Sequence, residues 1–585
     1  MRRVICLLLV AALLIQPGVA TADQGSISRN IRGWTILSDS DAGADEVIAS
    51  AKRYRINHLQ LSHDVVHDLR EVRDPRRQAQ VNRLTDLAHT SGIREVAAWD
   101  HALYNLAYYP AEFRTGPNGT IDLDNPAFWE WFKADYRQML DLVPDVDSII
   151  LTFVETGARV ENQHSTRLKT AEEKLAHLVD QVASVIDERG MLLYLRTFGY
   201  YPAEMERTIG AIDRVRNQRI RVMAKAQPHD FFLTHPIDVT VPRIKRPVLI
   251  EYDTAGEYNG QGKIANAFVA EHADRLRHYR KLPNVIGYVA RTDRYDESRI
   301  VNTPTEINLF ALKRASEGAS NSRIYFEFAA RKYGLPAAPH VARALARSPE
   351  IITSTLYTLG SNSANHSRLD YDPYCSSYHR SVSGKWVDPP ETFVRHGVNK
   401  RFHYWIDVAN HLAPPHCKTD GVLRREAGYV LDRGWVTPGN LMTQEYLDHL
   451  NIEKNHGVNL AKASLRDVER VRKFLRPNDY TQLKSYFERT VLTAELHRAV
   501  AKAYFGYRIY VQQPSTELAR SIWDGLDEAQ AVAARVRAYP APPTGEWNWV
   551  IDAAQADLYL KRISEGWDRY SNIKVQRPVF VGTGR

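Results

Sequence analysis

The sequence predicts an α/β protein: a (β/α)8 TIM barrel followed by a mainly α-helical C-terminal domain. Three observations carry that expectation. Short apolar runs alternate with amphipathic helical patterns from Arg32 onward, which implies βαβ units and a parallel sheet. The runs number eight, enough to close a barrel. Past Asn302 the apolar spacing becomes three and four and stays helical.

In chain order the strand candidates are "GWTILSD", "INHLQLSHD", "REVAAWDHALY", "DSIILTFVETG", "LLYLRTFGYYP", "IRVMAKAQPHDFF", "RPVLIEYDTAGEY" and "NVIGYVARTDRYDE". Helical patterns between them cover Ala44–Tyr54, Arg76–Thr90, Pro126–Leu142, Thr170–Arg189 and Ala265–Lys281. An open doubly wound sheet is the competing architecture. It would carry a Gly-rich phosphate turn after its first strand, and "SDSDAGAD" matches that poorly. After the barrel, stretches such as "AAPHVARALARSPEIITSTLYTLG" and "DYTQLKSYFERTVLTAELHRAVAKAYFGYRIYV" read as helices. The expected division is a secretory signal over 1–22, a barrel over 23–318 and a helical domain over 319–585. A polar, aromatic loop over 361–400 is expected to form an ordered flap on the barrel mouth.

The N-terminus has Arg2 and Arg3, an apolar run from Val4 to Ile15, and Ala20-Thr21-Ala22. That pattern predicts a signal peptide cleaved near Ala22 and a secreted or periplasmic protein. No segment is long enough for a membrane span. Cys6 leaves with the signal, and Cys375 and Cys417 remain, free to pair or not in an oxidising compartment. No metal-ligand spacing accompanies them, so neither metal nor cofactor is expected. Net charge is +8, and loss of Arg2 and Arg3 lowers it by two. Basic residues alternate with acids rather than cluster, which argues against a nucleic-acid surface. Aromatics make up 10% of residues, which suits either sugar platforms or a ring-rich core. A homo-oligomer is compatible with this composition.

Polar residues collect at the C-terminal ends of the strands: His63-Asp64, Asp100-His101, Glu155, Arg196, His229-Asp230, Glu257 and Asp293. In a barrel these ends form one face. Glycosidic hydrolysis needs one carboxylic acid and one carboxylate. Glu155 follows an apolar run, so burial is expected to raise its pKa and make it a general acid. Asp230 and Glu257, on the sixth and seventh strands, stand across the mouth as base candidates, with inversion as the outcome. Glu251 is expected to point inward and brace Arg196 or Lys225, cations that need partners inside apolar strands or grip an anionic sugar. Trp99, Asp100, Tyr258, His63 and Asp293 complete the expected sugar-binding set. Metal-dependent hydrolysis would want His-x-His on the first strand, which "GWTILSD" lacks. A polysaccharide lyase using Tyr200, Tyr201, Tyr258 or His229, and a non-catalytic carbohydrate-binding protein, stay open.

Several of these segments resemble glycoside hydrolase family 67, the α-glucuronidases. "IDLDNPAFWEWFKADYRQMLDLVPDVDSIILTFVETG" is similar to the family's stretch ending at the general acid, and "YRINHLQL" to its second strand. "LLYLRTF", "RVMAKAQPHDFF" and "PVLIEYDTAGEYNGQG" resemble its next motifs, with matching spacings from Lys225 to Asp230 and from Glu251 to Glu257. The resemblance implies an inverting hydrolase with Glu155 as acid, Asp230 and Glu257 sharing the base role, and Arg196 and Lys225 contacting the sugar. The chain departs from the family in starting its barrel without an N-terminal β-domain. It also has Leu151 where the family carries a sugar-recognising Lys, and only a faint echo, around His366, of the family's "P-L-G-L-H-H" stretch.

Overall fold

The eight apolar runs become β1 (Ile31–Ile36), β2 (His58–Leu61), β3 (Glu95–His101), β4 (Ser148–Thr152), β5 (Leu192–Arg196), β6 (Arg221–Lys225), β7 (Val248–Tyr252) and β8 (Val285–Arg291). Neighbours pair in parallel, and β8 returns to β1 with Val289 opposite Gly33, so the ring closes. This computed structural model describes residues 30–199, 202–228, 230–233, 237–294, 298–358, 361–362, 367, 444–510, 513–540, 553, 556–557, 560–561 and 573–579. The signal segment, Tyr200, Tyr201, His229, His366, Cys375, Cys417 and most of the loop over 361–400 lie outside the described residues.

The barrel helices are α1 (Asp41–Tyr54), α2 (Pro75–Thr90), α3 (Pro126–Leu142), α4 (Ala171–Glu188), α5 (Pro202–Arg214), α6 (Val269–Tyr279) and α7 (Ile307–Ser316). Local chemistry sets most of their starts. The Ser40 hydroxyl accepts from Gly43 N–H, and Asp74 and Asn125 cap helices whose first residue is proline. Thr170 and Glu173 satisfy each other's backbone donors in a capping box. The pattern over Ala265–Lys281 yields a helix only from Val269 to Tyr279, because tertiary hydrogen bonds hold residues 265–268 as a loop. Between β6 and β7 the described residues form a 3-10 turn, Val241–Arg243, in place of an α-helix.

Strand side chains alternate between two cores. Ala97, Trp99, Ile150, Tyr194, Met223, Leu249 and Val289 fill the barrel interior. Ala98, Ile149, Leu151, Leu195, Val222 and Ile250 face the helices in a larger outer core. Leu151 is fully buried there, so the position where family 67 carries its Lys faces away from the mouth. At the N-terminal end of the barrel a cavity of about 610 Å³ opens among His58, Glu95, Arg189 and Arg221. Burial would raise the Glu95 carboxyl, but His58, Arg221 and Tyr194 bring it down to about 2.

The helical region comprises α8 (Asn321–Tyr333), α9 (Ala338–Ala346), α10 (Ser348–Leu356), a short hairpin of β9 (Tyr357–Thr358) and β10 (Ser361–Asn362), then α11 (Gln444–Arg470), α12 (Pro477–Tyr510) and α13 (Thr516–Ala538). Leu492, Leu496, Val500, Ile522 and Leu526 share a core with Phe231, Phe232, Tyr258 and Phe268 from the barrel loops. Helical region and barrel mouth are therefore one packed body. No helix among the described residues is long and apolar enough to cross a membrane.

Candidate active site

Period two on β7 sends Leu249 and Glu251 inward and Ile250 and Tyr252 outward. Glu251 is 1% exposed and binds two guanidinium groups. Arg196 Nε donates to its Oε2 at 2.9 Å, and Arg291 Nε and Nη2 donate to its Oε1 at 3.0 and 2.9 Å. Burial would raise this carboxyl, yet Arg196, Arg291 and Lys225 hold it below the usual range, so it stays ionised. Arg291 extends the chain of charge. Its Nη1 donates to Glu257 Oε2 at 2.8 Å, and Arg294 Nε donates to Glu257 Oε1 at 2.8 Å.

The Glu257 loop is built by its own backbone. Asp253, fully enclosed beneath it, accepts from Gly256 N–H at 2.9 Å and Glu257 N–H at 2.6 Å. Burial pushes the Asp253 carboxyl up to about 6. Gly256 has φ 76°, and a Cβ there would lie 2.7 Å from Asn266 Nδ2, so the turn needs glycine.

Asp230 is placed beside this web by the loop after β6. Lys225 Nζ donates to its Oδ1 at 2.6 Å and Tyr258 OH to its Oδ2 at 2.6 Å. Lys225, whose neighbour across the strands is Glu251, also lies over the rings of Phe198 and Phe231 at 3.9 and 4.3 Å. Burial lowers its pKa despite Asp230. Thus Glu251 braces Arg196 directly, while Lys225 pairs with Asp230.

The β2–β4 side differs in kind. Trp99 has no exposure; its indole donates to Gln60 at 3.2 Å and lies 4.8 Å below the Arg196 guanidinium. It belongs to the barrel core and supports Arg196, which corrects the expectation of a sugar platform. Asp100 faces outward and is also fully buried. It accepts from Leu69 N–H, His101 N–H, Tyr104 OH and Tyr136 OH, and burial lifts it to about 6. With both oxygens taken by the protein, it anchors the end of β3 rather than a sugar. Asp293 likewise accepts from Leu37 and Ser38 N–H at 2.8 and 3.2 Å and clips the β8–β1 seam. Burial raises its carboxyl to about 7. Two of the strand-end acids are thus scaffold, because alternation and backbone donors claim them before solvent does.

His63 does face the mouth. It has a left-handed backbone (φ 49°), pairs with Ser62 Oγ at 2.7 Å, and packs 5.4 Å from Trp99. Burial, together with Arg294 and Arg291, holds it well below its ordinary pKa and therefore neutral. Glu155 lies beyond the end of β4 and is exposed. This corrects the expected desolvation: the strand stops at Thr152, and the buried Phe153 and Val154 do not enclose the next side chain. The charge of Glu155 reaches His67 and His101, whose rings stack at 3.8 Å. Burial and the neighbouring His67 push His101 down to about 4, whereas Asp68 raises His67 against the effect of burial.

Donor atoms of His67, Asp68 and His101 lie within 4.8 Å of one another, a grouping invisible as a sequence spacing. His67 Nδ1 is bonded to Asp68 at 3.0 Å and His101 Nδ1 to the His67 carbonyl at 2.6 Å. Arg70 takes the other Asp68 oxygen at 3.0 Å. These groups hold one another, so the arrangement suits a proton-bearing cluster better than a metal cage. Arg291 and Arg294 escaped sequence reasoning. The signal for Arg291 was present: like Arg196, it is a cation inside an apolar strand, "VIGYVAR".

A closed parallel barrel with ionised carboxylates and guanidinium groups at its C-terminal mouth defines a class, the barrel built for acid–base chemistry at its strand ends. Among solved structures, the GH138 enzyme targeting pectin rhamnogalacturonan II aligns with 86% of this chain at TM-score 0.55 and 9% identity. A GH115 4-O-methyl-α-glucuronidase with specificity for decorated arabinogalactans covers 94% at TM-score 0.45 and 12% identity. The Thermobaculum terrenum O-GlcNAc hydrolase covers 90% at TM-score 0.44 and 9% identity. All three are glycoside hydrolases, and the likeness is one of fold. The chain spans 62% of the GH138 enzyme, 63% of the GH115 enzyme and 94% of the O-GlcNAc hydrolase. No protein-family model matches the chain, and no curated protein does.

Proposed function

We propose that the protein is an exported, exo-acting glycoside hydrolase, α-glucuronidase-like, that removes a terminal sugar from a polysaccharide or oligosaccharide with inversion. Glu155 is the general acid, and Asp230 and Glu257 share the task of orienting and activating water. The observation that carries this reading is the pairing of Asp230 with Lys225 and Tyr258 beside Glu257 with Arg291 and Arg294, on strands adjacent in the ring. Glu155 stands three strands away in the same ring, which leaves space for a sugar and a water between acid and base. Its exposure fits an acid that gains its raised pKa only when substrate covers it.

Arg196, Lys225, Arg291 and Arg294 outnumber Glu251, Glu257 and Asp230 among the described residues of this web, which supports a sugar carrying a carboxylate. The target of the GH138 enzyme makes pectic uronates a sensible member of the substrate panel. Export rests on the charged and apolar pattern of residues 1–22.

The test is release of monosaccharide from uronate-bearing and neutral polysaccharides by the wild type, Glu155→Gln and Glu257→Gln, with NMR of the first product. Hydrolysis lost in both variants, with the anomeric configuration opposite to that of the substrate, is expected. Undiminished hydrolysis in both variants refutes the acid and base assignment. A retained configuration refutes inversion, and an unsaturated uronate product identifies a lyase.

A further inference from the structure

Two loops carry the base candidates: one after β6 with Asp230, the other after β7 with Glu257. They are joined by a buried hydrogen-bond circuit whose central group comes from the helical region. Tyr357, the first residue after α10, is fully buried. Its hydroxyl donates to Asn259 Oδ1 at 2.6 Å and accepts from Leu233 N–H at 2.8 Å. Asn259 is two residues past Glu257 and Leu233 three past Asp230. Asn259 Nδ2 closes the circuit by donating to the Phe231 carbonyl at 2.8 Å. Ser367, farther along the same post-barrel segment, donates to the Glu257 carbonyl at 2.9 Å and accepts from Gly260 N–H at 2.8 Å.

We infer that Tyr357 is a positioning residue that sets the separation of Asp230 and Glu257 by tying their loops together through Asn259 and Leu233. The inference rests on the reading of those two carboxylates as the base. A single phenol hydroxyl serves both loops, so neither can shift without breaking a buried bond to the other. Such a bond is weak in net terms but costly to leave unmade, because Asn259 Oδ1 and Leu233 N–H would lose their partner away from water. The helical region thus does more than cover the mouth: it fixes the spacing on which water activation depends. A misplacement of about 1 Å at a reacting group costs on the order of a hundredfold in rate.

Tyr357→Phe keeps the ring in its core beside Phe231, Phe232 and Tyr258 and removes only the hydroxyl. Hydrogen exchange by mass spectrometry over 226–233 and 255–266, which needs no substrate, should show both segments opening faster in this variant. On whichever panel polysaccharide the wild type hydrolyses, kcat should fall by roughly tenfold to a hundredfold while KM stays within about twofold. Asn259→Ala should act alike, and the double variant should be little worse than either single one. Wild-type exchange in both segments, faster exchange in only one, or additive losses in the double variant would each overturn the clamp. Full activity in Asp230→Asn together with Glu257→Gln would instead overturn the base assignment, while joint loosening in Tyr357→Phe would still establish the tie between loops.

Discussion

The two halves of the barrel mouth solve opposite problems. On the β6–β8 side, Glu251, Glu257, Asp230 and their four cations are buried or nearly so, and each printed contact is an ion pair or a charged hydrogen bond. On the β2–β4 side the groups are histidines of opposite tendency, two anchored aspartates and an exposed Glu155. Burial of charge demands saturation, so the first half is rigid and its carboxylates stay ionised. Exposure and mutual proton sharing leave the second half free to gain and lose protons. A hydrolase needs both: a fixed carboxylate to orient water and a titratable acid for the leaving oxygen.

The comparison breaks first at Glu257 and Glu155. Replacing either by Gln should cut kcat by about 10²–10⁴-fold, read as monosaccharide release, because each supplies a proton-transfer step. Only Glu257→Gln should also lower the denaturation midpoint, since it leaves Arg291 and Arg294 with a neutral partner. Equal destabilisation in both variants would erase the distinction between the halves.

Next comes Glu251→Gln. It leaves two buried guanidinium groups short of their anion and should cost about 3–5 kcal/mol in urea unfolding. Because the Glu251 carboxyl is held below its usual range, its stabilisation is present above the unfolded pKa and fades as pH falls through the folded one. The variant should therefore lose most at neutral pH and approach the wild type in acid.

Asp293 carries the opposite sign. Its folded value, about 7, lies above the ordinary 3.8, so its contribution is full below the unfolded pKa and disappears as pH rises toward 7. Asp293→Asn should gain on the wild type between about pH 4 and 7, by at most about 1.4 kcal/mol per pH unit. Parallel urea-midpoint curves for the two proteins would show that the seam carboxyl does not titrate there. Smallest is Trp99→Phe: a stability loss of about 1–2 kcal/mol from the cavity and weakened support of Arg196, with KM unchanged. A large KM rise would return Trp99 to the sugar-binding set.

Much of this architecture was legible in residue order. Eight apolar runs gave eight strands because each is bounded by turn chemistry and separated by a capped amphipathic helix, as at Asn125-Pro126. The spacing of five between Lys225 and Asp230 became a direct ion pair, since a strand end and one turn bring them together. The site was less legible. Asp100 and Asp293 looked like Glu257 in sequence, yet strand alternation turned Asp100 toward α3, and the seam gave Asp293 two backbone donors. Arg291 could have been found by the rule applied to Arg196, but its bridging of Glu251 and Glu257 could not.

By itself the sequence determined the period of each element, the caps that start the helices and the gathering of strand ends on one face. These follow from local sterics and alternation, which act over a few residues. Which of the gathered groups face the mouth, which are spent on the scaffold, and how Tyr357 reaches two loops from another part of the chain were decided only by the closed tertiary structure. Burial, dielectric and hydrogen-bond partnership depend on neighbours distant in sequence, and a barrel supplies those neighbours only once its ring is complete.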